Sequence, residues 1–236
     1  MDSEYLTDYP LPSAFPSLPD SLHPAALYNL DGDEIEKEPV EIKWDAEAAE
    51  KAGYEHFMIK EIHEQPRAIA DTFHSVYKNG VLDLSSVGID DEEIKKISQI
   101  YIVACGSAYH VGVVGQYVLE DLAKIPVRVE IASEFRYRRP LLKSDDLVII
   151  ISQSGETADS LAALRLAKEK GVKTLAIVNV IGSSIAREAD SVFYTLAGPE
   201  IAVATTKAYS TQLIASYCLA IQFAKVRGEI TDAQYT

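Results

Sequence analysis

The fold class of this chain follows from one stretch, Asp146-Leu-Val-Ile-Ile-Ile-Ser-Gln-Ser-Gly-Glu-Thr157. Residues 147–151 form an apolar run of strand length, which is typical of a strand buried on both faces of a parallel sheet. The next segment, 158–170, carries apolar residues at Leu161 and Leu164, as one face of an amphipathic helix does. A hydroxyl-rich loop with one glycine therefore joins a buried strand to a helix N-terminus.

A loop of this kind can bind an anion. The first N–H groups of a helix have no intrahelical partner, and the helix dipole places partial positive charge at the same end. Ser152, Ser154 and Thr157 add short hydroxyl donors, so a phosphate monoester fits without any lysine. The alternative for a single loop is that these residues only cap the helix.

A second loop repeats this arrangement upstream. A predicted strand over 99–104 is followed by the turn 105–107 and a predicted helix over 108–123. Gly106 and Ser107 therefore stand at the carboxyl end of another strand. Because ligands of open α/β sheets bind outside these strand ends, the two loops together predict one shared pocket. Simple helix capping explains the pair less well than it explains either loop alone.

The rest of the chain extends the same alternation of strands and helices. The predicted class is α/β, a three-layer α-β-α sandwich with a five-stranded parallel sheet. Its other strands are predicted over 127–132, 172–178 and 191–195, with helices over 184–188 and 205–226. Ahead of the sheet we predict a helix over 46–64 with Asp45 as its N-cap and a break at Pro66. A second helix is predicted to run to Val76 and to be ended by Asn79-Gly80. A short helix is predicted to end at Lys96.

Charge and composition narrow the possible partners and location. The net charge of the 236 residues is −14, which argues against nucleic acid and anionic membrane surfaces. Residues 1–45 hold eleven Asp and Glu against two Lys, a net of −9, and six of the ten prolines. Residues 1–25 are therefore predicted to be a disordered, Pro-rich acidic leader. No apolar run reaches membrane-spanning length and no signal peptide is evident, so we expect a cytoplasmic protein.

The two cysteines, Cys105 and Cys218, provide no disulfide framework. Both are expected to be small core residues. The five histidines do not show convincing zinc spacing. We therefore expect no metal and no cofactor.

Four segments resemble the sugar isomerase (SIS) domain family. They are Ala104-Cys-Gly-Ser-Ala-Tyr109, Ile131-Ala-Ser-Glu-Phe-Arg-Tyr-Arg138, residues 151–159 and Val203-Ala-Thr-Thr-Lys-Ala-Tyr-Ser-Thr-Gln212. More narrowly, they are similar to the first SIS domain of the glutamine–fructose-6-phosphate aminotransferase family. The segment from Trp44 to Pro66 is similar to the start of that family's isomerase half. The resemblance covers about residues 27–230.

The resemblance implies a domain organisation and a function. Residues 26–44 correspond to the end of a glutaminase domain, with a strand and turn over 26–33. Residues 45–97 are a helical lead-in, 98–230 the SIS core and 231–236 a tail. The implied function is binding of fructose 6-phosphate, or glucosamine 6-phosphate, by the isomerase domain of an enzyme that makes glucosamine 6-phosphate. The alternative is a stand-alone, non-catalytic SIS domain that senses a sugar phosphate.

The resemblance also implies which residues bind the substrate. These are Gly106, Ser107, Ser152, Gln153, Ser154, Gly155, Thr157, Val203 and Thr205. Gly155 is expected to let the backbone approach the phosphate closely. Glu156 is expected to point away from it, and Lys207 to be a surface residue.

The resemblance places the main catalytic groups elsewhere. The base for enolisation, the ring-opening histidine and the Schiff-base lysine correspond to positions beyond residue 236, and the glutaminase cysteine has no counterpart after Met1. No catalytic residue can therefore be assigned in this chain. The expected partners are further copies of the chain, and a separate second SIS domain or glutaminase chain.

Overall fold

The computed structural model describes residues 27–28, 33–35 and 50–235. The chain divides into two compact units, Met1–Glu41 and Ile42–Thr236. In the first unit, strand β1 (Leu27–Tyr28) pairs antiparallel with strand β2 (Glu34–Ile35). The leader over 1–25 and the predicted cap at Asp45 lie outside the described residues. The finer domain boundaries remain predictions.

The lead-in to the sheet is a single long helix, α1 (Phe57–Val76), with Pro66 inside it. The prediction of two helices separated at Pro66 was therefore wrong, as was the early start, because residues 50–56 are not helical. Proline lacks the N–H that would bond to the carbonyl four residues earlier, here that of Ile62. The side-chain amide of Gln65 donates to that carbonyl instead, with an Nε2–O distance of 3.1 Å.

A small hairpin follows α1, formed by β3 (Tyr77–Lys78) and β4 (Val81–Leu82). Asn79 and Gly80 form its two-residue turn, with φ angles of 53° and 85°. Positive φ at both central residues is the requirement of the hairpin turn that favours Asn-Gly. The prediction that this pair simply ends a helix was therefore incomplete.

Helix α2 (Asp91–Lys96) ends at Lys96 as predicted and has Asp90 as its N-cap. The Glu93 amide donates to Asp90 Oδ1 at 2.8 Å, and the Asp90 amide donates to Glu93 Oε2 at 3.1 Å. This reciprocal pair is a capping box, which satisfies two N–H groups at the helix start.

The predicted five-stranded parallel sheet is confirmed. Its strands are β5 (Gln99–Ala104), β6 (Val127–Ile131), β7 (Asp146–Ser152), β8 (Lys173–Val178) and β9 (Ser191–Tyr194), in the order β6-β5-β7-β8-β9. The central pair β5 and β7 runs in register from Gln99 opposite Asp146 to Ala104 opposite Ile151. Both strands are almost entirely buried, as expected when helices cover both faces.

Helices complete the three layers. They are α3 (Ser107–Leu122), α4 (Ala132–Phe135), α5 (Ala158–Glu169), α6 (Ser184–Glu188), α7 (Lys207–Arg227) and α8 (Asp232–Tyr235). Helices α3 and α7 pack together, on the sheet face where Ile100, Ile102 and Ile149 point. Helices α4, α5 and α6 cover the face of Val103 and Ile150. In the described part of the chain, no helix has both the length and the apolar composition needed to cross a bilayer.

Candidate functional site

A cavity of about 330 Å³ opens at the carboxyl ends of β5 and β7. Seven of the nine residues predicted to bind the substrate line it. They are Ser107, Ser152, Gln153, Ser154, Thr157, Val203 and Thr205. The two predicted glycines, Gly106 and Gly155, are not among the lining residues. The structure therefore brings three separate loops together at one edge of the sheet.

The first wall is the loop between β7 and α5. Ser152 is buried, and its Oγ accepts a hydrogen bond from the Gly155 amide at 3.0 Å. The same Oγ lies 3.1 Å from Thr157 Oγ1. Ser154 is only half-buried, and its Oγ accepts from the Glu156 amide at 3.2 Å. The loop is thus shaped by its own hydroxyls, and its apex presents Gln153 and Ser154 to the cavity.

Gly155 has a packing role in this loop, and its close approach to phosphate stays a prediction. Its φ is +67°, in the region that favours glycine, and its amide is already bonded to Ser152. A Cβ at this position would lie 2.0 Å from Ser183 Oγ and 2.6 Å from Ser183 Cβ. The glycine is therefore needed so that this loop can pack against the segment that precedes α6.

The Glu156 carboxylate lies outside the cavity, as expected. Its Oε1 accepts from the Ser184 amide at 2.7 Å, at the start of α6. That backbone hydrogen bond lowers the pKa of Glu156 below its usual value of 4.5. The acidic side chain thus stays ionised and tied to the outside of the loop, away from any anion in the cavity.

The second wall is the turn between β5 and α3. Gly106 has φ 57° and ψ −132°, so it makes the sharp change of direction that places Ser107 as the first residue of α3. Cys105 is partly buried: it packs against the core on the side of α4, α5 and α6 and also lines the cavity, so the prediction that it is a core residue holds only in part. Cys218 is buried as predicted, and burial raises the pKa of its thiol to about 11.

The third wall is the segment between β9 and α7. Glu200 caps α7, because its Oε1 accepts from the amides of Thr206 and Ala208 at 2.9 and 3.2 Å. Its Oε2 accepts from Thr205 Oγ1 at 3.0 Å. Val203 lies within this segment and is fully exposed. The wall therefore offers an apolar contact beside a fixed hydroxyl.

Lys207 is buried, contrary to the expected surface position. Its Nζ lies 2.6 Å from Glu64 Oε2 on α1, and Lys60 Nζ lies 3.5 Å from Glu64 Oε1. Burial raises the pKa of Glu64, but the hydrogen bond and charge of Lys207, aided by Lys60, outweigh that effect, so the pKa lies below 4.5. This buried cluster ties α1 to the start of α7, and Lys207 is not among the residues lining the cavity.

The electrostatics of the cavity are unusual for an anion site. Among the described lining residues there is no lysine, arginine or histidine, and Glu200 is the single carboxylate. The available donors are neutral hydroxyls, amides and the N-terminal N–H groups of α3 and α5. Among the described residues there is also no cluster of three side chains able to hold a metal ion. The arrangement suits hydrogen-bonding recognition of a small polar anion.

A second cavity of about 410 Å³ adjoins the first and shares Ser107 and Thr205 with it. His110 lies on its wall. The two cavities together give the site more room than a bare phosphate requires.

Sequence reasoning missed two polar residues of the cavity, Glu200 and Gln212. Gln212 lies on α7, seven residues after Thr205, so it shares a helical face with the start of that helix. Glu200 sits just ahead of a helix whose first turn carries no acidic residue. Thr206 is the N-cap of this helix, but its side chain makes no capping hydrogen bond, so the sequence alone gives no signal that Glu200 supplies the acceptor.

Comparison with known proteins places this geometry in a family. A model of the SIS domain matches residues 93–222, which is more than half of the chain. The chain belongs to the SIS domain family.

Within that family it is similar to glutamine–fructose-6-phosphate aminotransferases (isomerizing). It is 58% identical to that of Clostridium tetani over 209 residues, covering 88% of this chain and 34% of the relative. It is also 58% identical to that of Caldanaerobacter subterraneus over 204 residues, covering 86% and 34%. The chain thus spans about a third of the length of these relatives.

A solved structure agrees with this relationship. The C-terminal domain of glucosamine-fructose-6-phosphate aminotransferase from Francisella tularensis superimposes with a TM-score of 0.76 at 44% identity. The match covers 79% of this chain and 53% of that domain. The sequence is therefore homologous to the SIS region of these enzymes.

Proposed function

We propose that the cavity binds fructose 6-phosphate by its phosphate end, as the sugar-phosphate site of an isomerase that serves glucosamine 6-phosphate synthesis. The observation that carries this proposal is the convergence of Ser107, Ser154 and Thr157 on one cavity at two helix N-termini. The homology to the SIS region of glutamine–fructose-6-phosphate aminotransferases supports the choice of sugar.

In this proposal each wall has a separate task. The loop from Ser152 to Thr157 holds the phosphate, with Ser154 donating directly and Ser152 keeping the loop in shape. Ser107 donates from the opposite side. Val203 packs against the carbon chain of the sugar and Thr205 contacts its hydroxyls. Hydrogen bonds to a charged group are worth about 1.5–3 kcal/mol each, so a few of them suffice without a cation.

The proposal assigns binding, and not turnover, to this chain. Isomerisation requires a base that moves a proton between neighbouring carbons, and amination requires a nitrogen donor at the open sugar. Glu200, the single carboxylate among the described lining residues, already accepts three hydrogen bonds at the start of α7. We therefore expect the catalytic groups to come from a partner, such as a second SIS domain, with ammonia supplied by a glutaminase chain.

We also propose that the chain assembles into a homo-oligomer in the cytoplasm. On α7, Leu213, Ile214 and Ile221 are only partly buried and Tyr217 is exposed, which leaves apolar surface uncovered. Sedimentation at micromolar concentration tests this, and a single 25.9 kDa species would exclude it.

A second candidate function is a non-catalytic SIS domain that senses a sugar phosphate. The Glu200 carboxylate is occupied by three hydrogen bonds. This favours a sensor as much as it favours a divided enzyme, meaning one whose catalytic groups lie on a partner. Product formation from fructose 6-phosphate, with high ammonium and an added second SIS domain, separates the two. Glucosamine 6-phosphate that appears only with the added partner supports the divided enzyme, and no product under any condition supports the sensor.

The binding site itself is tested by calorimetry with fructose 6-phosphate and a Ser154→Ala variant. Loss of one charge-assisted hydrogen bond predicts an affinity about 10- to 150-fold weaker, with the thermal unfolding temperature unchanged. Ser144→Ala is the matched control, since Ser144 is exposed and precedes the amino end of β7. Equal affinity of the wild type and the Ser154 variant for fructose 6-phosphate would show that the loop does not bind the phosphate.

A further inference from the structure

The third wall of the cavity is held by a residue of α1, which precedes the part of the chain that the SIS family model matches. Glu61 is only 2% exposed. Its Oε1 accepts two hydrogen bonds, from the amides of Ile201 and Ala202, at 2.7 and 3.1 Å. One carboxylate oxygen thus fixes two consecutive peptide groups of the wall, 140 residues away along the chain.

These two amides lie at the start of the stretch of the third wall that lines the cavity. Ala202, Val203, Ala204 and Thr205 all line the cavity. Upstream, Asn179 Nδ2 donates to the Gly198 carbonyl at 2.8 Å, and downstream Glu200 binds the start of α7. Between these two anchors, Glu61 is the side chain that sets the orientation of the central peptide groups.

We propose that Glu61 is a positioning residue for sugar recognition, and that α1 is therefore a structural part of the site. This inference rests on the proposed function, because it concerns the wall that would contact the sugar carbons. Glu61 does not touch the ligand. It acts through the Ile201 and Ala202 amides, which place Val203 and Thr205 at the cavity.

The chemistry of Glu61 distinguishes this role from a charge effect. Its second oxygen, Oε2, is buried and has no hydrogen-bond partner among the described residues. The wall therefore needs one hydrogen-bond acceptor, placed at the distance that a glutamate side chain reaches. Glutamine keeps this acceptor without the charge, whereas aspartate keeps the charge but is one methylene shorter.

The experiment compares Glu61→Gln, Glu61→Asp and Glu61→Ala in the full chain, with Asp71→Asn as control. Asp71 is an exposed acid on the same helix. Calorimetry is carried out with fructose 6-phosphate and with inorganic phosphate, which reaches only the loop from Ser152 to Thr157. For fructose 6-phosphate we expect a loss of at least about tenfold with Asp and Ala, about 1.4 kcal/mol, and less than about threefold with Gln. Phosphate affinity should stay within about twofold throughout.

A second readout needs no ligand. Hydrogen exchange of the Ile201 and Ala202 amides should be slow in the wild type and the Gln variant and fast in the Asp and Ala variants. The role is overturned if Asp retains affinity while Gln loses it, or if all variants bind as the wild type does. If the wild type binds neither ligand, the proposed function fails, and amide exchange alone then decides whether Glu61 orders the wall. If Ala does not fold, Gln and Asp still give the comparison.

Discussion

Replacing Gly155 with alanine tests how the loop between β7 and α5 is built. The new Cβ would lie 2.0 Å from Ser183 Oγ and 2.6 Å from Ser183 Cβ, so the loop or the segment before α6 must move. Two separate penalties arise. A non-glycine residue in the left-handed region costs about 1–2 kcal/mol, and overpacking a buried site costs about 1–3 kcal/mol. The free energy of unfolding should therefore fall by about 2–5 kcal/mol.

Two further variants separate these penalties. Gly171 has φ +70° with nothing within 4 Å of its missing Cβ, so Gly171→Ala carries only the backbone penalty of about 1–2 kcal/mol. Adding Ser183→Gly to Gly155→Ala removes both clashing atoms. It loses no hydrogen bond, because the buried Ser183 Oγ has no partner among the described residues. The double variant should therefore be about as stable as Gly171→Ala.

The assay is urea unfolding at pH 7, supported by thermal unfolding. For a chain of this size each 1 kcal/mol of stability corresponds to about 2–4 °C in the thermal unfolding midpoint, so Gly155→Ala should lower that midpoint by roughly 4–20 °C. Fructose 6-phosphate affinity should fall as well, because a displaced loop no longer presents Ser154. The reasoning is refuted if Gly155→Ala is no less stable than Gly171→Ala, or if removing the Ser183 side chain restores no stability to the Gly155→Ala variant.

Two other predictions follow from the thiols and from the buried ion cluster. Iodoacetamide should alkylate Cys105, which lines the cavity, and saturating fructose 6-phosphate should slow that reaction. Buried Cys218 should stay unmodified in the folded chain. An alkylation rate of Cys105 that does not change with fructose 6-phosphate would contradict the proposed binding site. Because the pKa of Glu64 is lowered in the folded chain, its ionised form adds stability above pH 4.5 that is lost as the pH falls through the folded pKa. The stability gap between wild type and Glu64→Gln should therefore shrink between pH 6 and pH 3.5, and a constant gap would disprove this role.

The sheet could be predicted from the sequence because its signals are local. Each strand is a short apolar run bounded by turn residues, and the predicted strands over 99–104 and 147–151 differ from β5 and β7 by at most one residue at each end. The cavity followed from the same signals, since parallel strands deliver their carboxyl-end loops to one edge. These signals alone point to Ser107, Ser152, Ser154 and Thr157, whereas Gln153, Val203 and Thr205 were predicted from the family resemblance.

The errors arose where a distant or unexpected partner decides the outcome. Pro66 is tolerated inside α1 because the Gln65 side chain replaces the missing hydrogen bond, which no periodicity reveals. Lys207 is buried because Glu64, 143 residues earlier, neutralises it. The role of Glu61 was invisible for the same reason, because its partners are backbone amides on a segment without secondary structure of its own.

The described residues that line the cavity include no cation, and this has a consequence for how a ligand arrives. A sugar phosphate carries about two negative charges near neutral pH, and this chain carries −14. With no lysine or arginine among the described lining residues to attract it, the dianion meets net repulsion as it diffuses in. Added salt screens that repulsion, because the Debye length falls from about 30 Å at 0.01 M to about 8 Å at 0.15 M. The association rate should therefore rise with ionic strength, whereas association with a phosphate site lined by lysine or arginine becomes slower. Once seated on neutral donors, the ligand should dissociate at a rate nearly independent of salt, so affinity should hold steady or improve as salt rises.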